Sequence, residues 1–382
     1  MGRTIADSTA HSIWENCMRK NITLTITENC NLHCRYCYEH HNVERIMTYD
    51  TGKRIIDYEF SQSTPDDELY IEFFGGEPFL KFDLLRKLCE YIWSKNWGVK
   101  YHCYATTNGT LIHGEIKEWL YKNRSRFSCG LSLDGTREMH NANRSNSYDS
   151  IDVLFFQKTW PEQTVKMTFS DISIRHLSDC VIHAHKLGFP IACNLAYGIN
   201  WDKSEYQTIL EEELRKLISF YIDNPTITPC SMLNRSIVPV GGIDLSTTVS
   251  QKWCGTGTDM RTYDSEGQAY SCQMFMPVSI GIEKAAQAKS IVFPKYVDNT
   301  MLQEKCRNCY LKNSCSSCYG YAFGKYGNPY VKEDGMCIST KIIMKAAAAL
   351  QYERYNKGIL IIPDEEKYYF LQGIVRISEM SI

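Results

Sequence analysis

The chain has 382 residues, which is long enough for two or three domains of ordinary size. Its 42 basic and 44 acidic residues leave a formal net charge of −2, so the balance indicates no surface for nucleic acid. The first 21 residues are polar and mixed, and no apolar run approaches the roughly 18 residues of a membrane span. We therefore expect a cytoplasmic protein that binds neither nucleic acid nor membrane.

Six extended apolar segments alternate with segments of helical periodicity in the first 225 residues. The predicted strands are Ile22 to Thr27, Leu69 to Phe74, Lys100 to Thr106, Phe127 to Asp134, Thr164 to Phe169 and Pro190 to Tyr197. The predicted helices are Thr51 to Gln62, Phe82 to Asn96, His113 to Asn123, Ser150 to Gln157, Ile174 to Leu187 and Ser204 to Ile222. Because a full barrel needs eight βα units, this alternation predicts an α/β fold with a partial (β/α)6 TIM-like barrel.

The pattern divides the chain into four parts. We predict an N-terminal extension over residues 1–21, the partial barrel over 22–225, a cysteine-rich module over 226–340, and a C-terminal helix and tail over 341–382. Alternation stops after about residue 225, and the loop-rich module is expected to depend on metal rather than on a large apolar core. Lys341 to Tyr355 is predicted to be helical, with a short remainder.

The 17 cysteines carry the strongest functional signal. In a reducing compartment, cysteines at short spacings usually hold metal or carry out redox chemistry. One group, Cys30, Cys34 and Cys37, directly follows the first predicted strand; another lies near the end of the chain. Zinc would need a fourth ligand, for which His33, His40 and His41 are candidates, whereas a 4Fe-4S cluster with three cysteines keeps one iron open.

Polar motifs follow the next three predicted strands. They are Gly75-Gly76-Glu77-Pro78, Thr107-Asn108-Gly109 and Ser132-Leu133-Asp134-Gly135. Because the carboxyl ends of parallel strands share one edge, these motifs and the cysteine group are expected to meet there. Taken alone, each motif is equally typical of an ordinary turn. For Asp134 and Glu39, which lie near this edge, we expect solvated surface carboxylates.

The Cys-x3-Cys-x2-Cys group, followed by Gly-Gly-Glu-Pro after the second strand, resembles the radical S-adenosylmethionine (SAM) superfamily. The resemblance implies that Cys30, Cys34 and Cys37 hold a 4Fe-4S cluster whose open iron binds SAM. Electron transfer into SAM then releases a 5′-deoxyadenosyl radical that abstracts a substrate hydrogen. The implied SAM contacts are Tyr36 at the adenine, Gly75, Gly76 and Glu77 at the ammonium, Ser132 at the ribose, Arg144 at the carboxylate, and Thr107 and Asn108 nearby.

The cysteine-rich module resembles the SPASM domain, which holds auxiliary 4Fe-4S clusters in peptide-modifying radical SAM enzymes. The resemblance implies three clusters in all, with two auxiliary ligand sets: Cys254, Cys272 and Cys318, and Cys306, Cys309, Cys315 and Cys337. Only two residues separate Cys315 from Cys318, where the family usually has three, and no cysteine lies between Cys230 and Cys254. The first auxiliary cluster therefore keeps an open iron, which we expect, or recruits Cys230.

The resemblance favours a maturase that crosslinks a ribosomally made precursor peptide through a thioether or carbon–carbon bond. It implies an external electron donor of flavodoxin or ferredoxin type. Because 21 residues precede the first strand, we expect leader recognition by a separate protein, by a groove between the barrel and the cysteine-rich module, or a substrate without a leader. Oxidation of a sulfatase cysteine or serine to formylglycine is a second possibility, although Gln273 stands where such enzymes carry an aspartate. A zinc-stabilised binding protein and an electron carrier are the non-catalytic alternatives.

Of six further cysteines, five are expected to be ordinary core residues and one has no predicted role. Cys89 and Cys180 fall in predicted helices, and Cys103, Cys129 and Cys193 fall in predicted strands, where free thiols pack as small apolar groups. Cys17 has no predicted role.

Overall fold

The computed structural model describes residues 19–41 and 44–382, so Cys17 and most of the predicted N-terminal extension lie outside the described residues. The strands are Arg19–Thr27 (β1), Glu68–Gly75 (β2), Lys100–Thr107 (β3), Phe127–Leu131 (β4), Val165–Phe169 (β5), Ile191–Leu195 (β6), Val249–Gln251 (β7), Met260–Tyr263 (β8), Ala269–Tyr270 (β9) and Tyr296–Asp298 (β10).

The helices of the first half are Tyr49–Ser61 (α1), Phe82–Trp93 (α2), Gly114–Lys122 (α3), Arg137–Asn143 (α4), Val153–Thr159 (α5), Leu177–Lys186 (α6) and Ser204–Asp223 (α7). Those of the second half are Val238–Gly241 (α8), Pro277–Ile280 (α9), Ile282–Ala288 (α10), Glu304–Arg307 (α11), Tyr319–Tyr326 (α12), Asp334–Asn356 (α13) and Asp364–Ser378 (α14). Within the described part of the chain, no helix is both long and apolar enough to cross a membrane.

The main sheet is built from parallel strands. Its order is β4-β3-β2-β1-β8-β9, and all neighbours are parallel except β8 and β9. β5 and β6 form a parallel pair, which a parallel bridge between Ser132 and Lys166 joins to the end of β4. The six strands expected from the sequence are all present, and the fold is mixed α/β with a parallel-strand sheet.

Strand β1 shows how the sequence builds this sheet. Ile22, Leu24 and Ile26 are buried in the main apolar core, because alternate side chains of a strand point to opposite faces. Thr23 and Thr25 point the other way, where the Thr23 hydroxyl donates to Glu72 at 3.2 Å. One face of the strand thus packs against helices while the other remains polar.

Helix α4 was not expected from the sequence. The fourth strand was predicted to run to Asp134, but β4 ends at Leu131 and a helix begins at Arg137. The hydroxyl of Thr136 accepts a hydrogen bond from the backbone N–H of Met139, which caps the helix. A helix of seven residues is too short to show a clear apolar period, so its cap was the available signal.

The module over 226–340 contains more apolar packing than expected. Phe275, Phe293 and Phe323 lie in one cluster with Met276 and Val297, all buried. The sequence indicated no large apolar core in this module, yet aromatic residues scattered through its loops converge in space and form this apolar cluster. Two of its strands, β8 and β9, also extend the main sheet beside β1.

The C-terminal region is a helical pair rather than one helix with a short tail. Helix α13 begins at Asp334, seven residues before the predicted start, and α14 was not predicted at all. Phe370 and Ile377 of α14 are fully buried against α8 and α13. The Arg376 guanidinium also donates to the carbonyls of Val240, Gly241 and Ile243 at 2.9–3.0 Å, which satisfies the end of α8.

Helices α8 and α14 approach so closely that only glycine fits between them. A Cβ added to Gly241 would lie 1.7 Å from the carbonyl oxygen of Tyr369, whereas a Cβ on Gly242 would meet nothing closer than 3.5 Å. We therefore expect Gly241→Ala to lower the free energy of unfolding by about 2 kcal/mol through overpacking. Gly242→Ala is the matched control and should change it little; anaerobic thermal unfolding of both variants checks this, and equal melting would contradict it.

Candidate functional site

The loop after β1 carries Cys30, Cys34 and Cys37 at the carboxyl edge of the sheet. Cys30 and Cys34 are half-buried, and Cys37 is exposed. Burial raises the pKa of Cys30 to about 12, and the neighbouring Glu77, Cys34 and Cys37 add to the rise. The three thiols are thus close enough to influence one another, and binding of a metal would have to displace their protons.

Two glycines let the loop after β2 lie directly on the cysteine loop. A Cβ on Gly75 would stand 2.0 Å from the carbonyl oxygen of Thr27, and one on Gly76 would stand 2.5 Å from that of Asn29. The backbone N–H groups of Gly76 and Glu77 donate to these same carbonyls at 3.2 and 2.8 Å. The glycine pair therefore fixes the start of the cysteine loop.

Glu77, expected near the SAM ammonium, is buried and bonded within the protein. Its carboxylate accepts hydrogen bonds from the Thr107 hydroxyl at 2.8 Å, the Asn108 backbone N–H at 2.8 Å and the Phe79 backbone N–H at 3.2 Å. Burial raises its pKa to about 7, and these three donors lower it. Hydrogen bonds therefore join Glu77 to Thr107 and Asn108. The side-chain amide of Asn108 in turn donates to the side-chain oxygen of Asn31, in the cysteine loop, at 2.9 Å.

Asp134 joins the cysteine loop to the ends of β4 and β5. It is fully buried and accepts hydrogen bonds from the Tyr36 hydroxyl at 2.5 Å, the Arg144 Nε at 3.0 Å and the Thr168 backbone N–H at 3.0 Å. The Asn143 amide adds a fourth contact at 3.3 Å. The expectation of a solvated carboxylate is therefore wrong, because a buried arginine ten residues along the chain supplies the opposite charge.

Arg144 and Tyr36 lie together beside the cysteines. The guanidinium carbon of Arg144 is 5.3 Å from the centroid of the Tyr36 ring. Burial raises the pKa of Cys34, and the positive charge of Arg144 lowers it. The structure thus brings together two residues that the sequence placed on different loops. Ser132 is half-buried nearby, and its backbone N–H donates to the Thr107 carbonyl at 2.9 Å.

Glu39 also differs from the expectation of a solvated surface carboxylate. It is 8% exposed, and burial raises its pKa to about 7 while His41 lowers it. The His41 Nε2 lies 3.8 Å from Glu39 and 3.6 Å from the Cys37 sulfur. This histidine is the nearest of the three that the zinc alternative named, although its other nitrogen is occupied by the Glu28 carbonyl at 2.6 Å.

Sequence reasoning missed two residues that position the site. His140 is fully buried; its Nδ1 lies 3.3 Å from the Asp134 backbone N–H, and its Nε2 lies 3.0 Å from the Ser147 hydroxyl. Burial lowers its pKa to about 4, so it is neutral at pH 7 and can accept the Asp134 N–H. Asp171, after β5, forms a bidentate ion pair with Arg35, in which Nε and Nη2 each donate to one carboxylate oxygen at 2.9 Å. Their position after strand ends was the available signal.

A cleft of about 950 Å³ opens beside the cysteine loop. Tyr36 and Cys37 line one wall, the loop after β6 lines a second, and the module over 226–340 supplies the third. Tyr197 and Tyr321 stack across the junction with ring centroids 4.7 Å apart. The cleft therefore lies between residues 22–225 and the cysteine-rich module over 226–340.

The first expected auxiliary set lines a separate cavity. Cys254, Cys272 and Cys318 surround a space of about 250 Å³, and Cys193 of β6 lies in the same lining. Cys230 does not line this cavity: it is fully buried in the main core, where its backbone N–H donates to the Tyr221 hydroxyl at 2.9 Å. The structure thus brings the three expected cysteines together and holds Cys230 behind them.

The second expected auxiliary set also converges. Burial raises the pKa of Cys306 to about 11, and the neighbouring Cys315, Cys337 and Cys309 raise it further. In residues 19–41 and 44–382, however, no group of three or more His, Cys, Asp or Glu side chains is close enough to hold one metal ion. A cubane cluster spreads its thiolate ligands over several irons, so its ligands lie farther apart than those of a single ion.

The described cysteines outside these three sets are packed in the core. Cys89, Cys103, Cys129, Cys180 and Cys193 are each no more than 1% exposed. This agrees with the expectation that they serve as small apolar groups.

Comparison with protein families identifies the cysteine region. Residues 18–149 match the family described as a 4Fe-4S single cluster domain. A relative from Methanocaldococcus jannaschii, the uncharacterized protein MJ0907, is 34% identical over 116 residues, which is 30% of this chain and 39% of that protein. The chain thus spans well under half of this relative's length.

Two characterised relatives match over a longer stretch. The radical SAM cyclopropyl synthase TigE of Paramaledivibacter caminithermalis is 22% identical over 85% of this chain and 73% of its own length. A cysteine-type anaerobic sulfatase-maturating enzyme of Clostridium perfringens is 24% identical over 65% of this chain and 73% of its own length.

Solved structures share the fold. The structure of anSMEcpe with bound AdoMet has a TM-score of 0.68 at 19% identity and covers 92% of this chain and 98% of that chain. Streptococcus suis SuiB bound to the precursor peptide SuiA has a TM-score of 0.54 at 16% identity, covering 84% of this chain and 76% of that chain. These two likenesses show the fold, whereas the cysteine motif, the matched family and the relatives support a radical SAM enzyme of the SPASM type.

Proposed function

We propose that the chain is a maturase that abstracts hydrogen from a ribosomally made precursor peptide and installs a thioether or carbon–carbon crosslink. One observation carries the proposal: the loop of Cys30, Cys34 and Cys37 borders a cleft of about 950 Å³ that lies between barrel and tail. This volume is at the upper end of small-ligand pockets, and it suits a segment of peptide. The solved structure of SuiB with its precursor peptide adds support.

The three thiols of this loop suit an iron–sulfur cluster. Thiolates are the ligands that 4Fe-4S clusters use, and a set of three keeps one iron available for SAM. When bound, the cluster and SAM would supply the electron and the radical that removes a substrate hydrogen. Zinc has less support, since a structural zinc site is closed by four ligands and this loop supplies three cysteines.

The residues around the loop would orient SAM. Arg144 lies beside Cys34, where its charge suits a carboxylate, and Asp134 holds it in place at 3.0 Å. Tyr36 would flank the adenine, and Ser132 would contact the ribose. Because the Glu77 carboxylate is occupied by its own loop, we assign the ammonium to backbone carbonyls near Gly75 and Gly76. Glu77 then acts through Thr107 and Asn108 as a positioning group.

We propose two auxiliary clusters in the unit over 226–340, which follows the barrel unit over 22–225. Cys254, Cys272 and Cys318 would hold the first with one iron open, and Cys306, Cys309, Cys315 and Cys337 would hold the second. We leave Cys230 out of the first set, since it is buried in the main core and does not line the cavity. An external donor of flavodoxin or ferredoxin type would supply electrons, and a separate protein would bind any leader sequence.

Formylglycine formation is a second candidate. The sulfatase-maturating relative and the similarity to anSMEcpe favour it. Gln273, which follows Cys272, opposes it: its side-chain oxygen is buried without a hydrogen-bond partner among the described residues, and an amide cannot take a proton at neutral pH.

We expect the anaerobically reconstituted and reduced protein to cleave SAM to 5′-deoxyadenosine. Cys34→Ala should reduce this product to background because the cluster loses a ligand. Cys103→Ala, which removes a buried thiol from β3, is the matched control and should retain the activity. Chromatography of 5′-deoxyadenosine measures both, and the proposal fails if the fully loaded wild type forms none.

Cys230→Ala should leave the iron and sulfide content unchanged, because Cys230 lies outside the cavity of the first auxiliary set. Cys272→Ala should lose that one cluster, which is about a third of the iron. Iron analysis and Mössbauer spectra compare the two variants. Loss of a cluster in Cys230→Ala would contradict the open three-cysteine site. A Cys193→Ala variant tests separately whether the fourth cysteine of the cavity lining binds the cluster.

The two candidate reactions give different masses on a cysteine-containing peptide. A thioether or carbon–carbon crosslink removes two hydrogens and keeps the sulfur, whereas formylglycine formation from cysteine loses the sulfur. We expect the first product from the peptide that any small open reading frame beside this gene encodes. Mass spectrometry of the treated peptide distinguishes them, and loss of the cysteine sulfur would favour the second candidate.

A further inference from the structure

Two lysines line the cleft, one from residues 22–225 and one from the module over 226–340, and neither forms a close ion pair among the described residues, although the charge of Lys203 also acts on the neighbouring Glu205. Lys203 precedes α7 on the barrel side, and Lys284 lies in α10 on the tail side. Both side chains are exposed. Among residues 19–41 and 44–382, neither ammonium group has a carboxylate oxygen within 4.0 Å, whereas most of the charged residues around them do.

The other charges at the cleft largely cancel. Arg35 is held by both oxygens of Asp171 at 2.9 Å, and Lys325 pairs with Glu333 at 2.5 Å. Asp171 is the one carboxylate among the described residues that line the cleft. Because its charge is matched by Arg35, the remaining charge of the lining is positive, although the whole chain carries −2.

Contacts hold the two lysines at the walls of the cleft. The Lys284 ammonium donates to the carbonyl oxygen of Gly324, a contact that leaves its charge unpaired. The Lys203 ammonium lies 5.7 Å from the centroid of the Tyr206 ring. The stacked Tyr197 and Tyr321 provide an aromatic surface in the same lining. A bound chain would thus meet both tyrosine rings and positive charge in this cleft.

We propose that this cleft selects an acidic peptide segment, with carboxylate side chains paired to Lys203 and Lys284 on either side of the residue to be modified. The inference rests on the proposed function, since it specifies the peptide that the cleft accepts. Complementary charge at an exposed rim contributes chiefly to selectivity and to the rate of encounter. Each exposed ion pair adds little, so the two together are expected to give about a tenfold preference.

The test measures binding to the reconstituted, SAM-loaded protein by fluorescence anisotropy. The probe is a fluorescein-labelled peptide of glycine and serine that carries glutamates on both sides of its centre. A second probe replaces every glutamate by glutamine. We expect the glutamate peptide to bind about tenfold more tightly at low salt, with a smaller difference at high salt because exposed charges are screened.

The variant Lys203→Met/Lys284→Met should abolish this preference, and Lys203→Arg/Lys284→Arg should keep it. Lys87→Met/Lys100→Met removes the same charge from exposed positions, one on α2 and one at the amino end of β3, and should also keep it. Equal binding of the two probes to the wild type overturns the proposal. Loss of the preference in the Lys87→Met/Lys100→Met control also overturns the proposal. The same holds if the preference persists in Lys203→Met/Lys284→Met.

Assay of 5′-deoxyadenosine on the same samples separates this inference from the proposed function. Formation of 5′-deoxyadenosine without any preference for the glutamate probe overturns the inference alone. Absence of 5′-deoxyadenosine from fully loaded protein overturns the proposed function, whatever the probes show.

Discussion

The buried carboxylate of Asp134 is the contact on which the site depends. It lies at the end of β4 and binds Tyr36 of the cysteine loop, Arg144 after α4, and the Thr168 backbone of β5. The cysteine loop has no regular secondary structure, so such contacts rather than local propensity determine its shape. Without Asp134, Arg144 would keep a buried charge with no counter-charge, a costly state that the loop could relieve only by moving.

The same loop is tied at its other end by backbone contacts. Gly76 and Glu77 bond to the carbonyls of Thr27 and Asn29, and a side chain on either glycine would collide with them. The Glu77 carboxylate also accepts hydrogen bonds from Thr107 and Asn108, which fixes the loop after β3 against the loop after β2. The cysteine loop is therefore positioned by the ends of β2, β3, β4 and β5 together, which is why motifs so far apart in sequence form one site.

Sequence patterns predicted those parts of the molecule that depend on neighbouring residues. The six parallel strands follow from local apolar runs, and their order placed the polar motifs at one edge. Patterns could not predict contacts that depend on distant residues. β8 has four residues and owes its place to pairing with β1, and Asp134 is buried because Arg144 reaches it from the far end of α4. Helix α14 was missed because its packing depends on a distant residue, Gly241 of α8, whose missing side chain lets the two helices approach.

Burial alone does not distinguish a ligand cysteine from a core cysteine. Burial raises the pKa of Cys30 in the site and of Cys180 in α6 alike, to about 12 in each case. The difference is in their neighbours: Cys30 has two other thiols beside it, whereas Cys180 packs against Gly135 within the apolar core. A lone buried thiol gains nothing by ionising, but grouped thiols can share the charge of bound iron. A group of three thiols, which short sequence spacing predicts, is therefore what marks the site, since the core cysteines Cys89 and Cys103 also lie side by side as a pair.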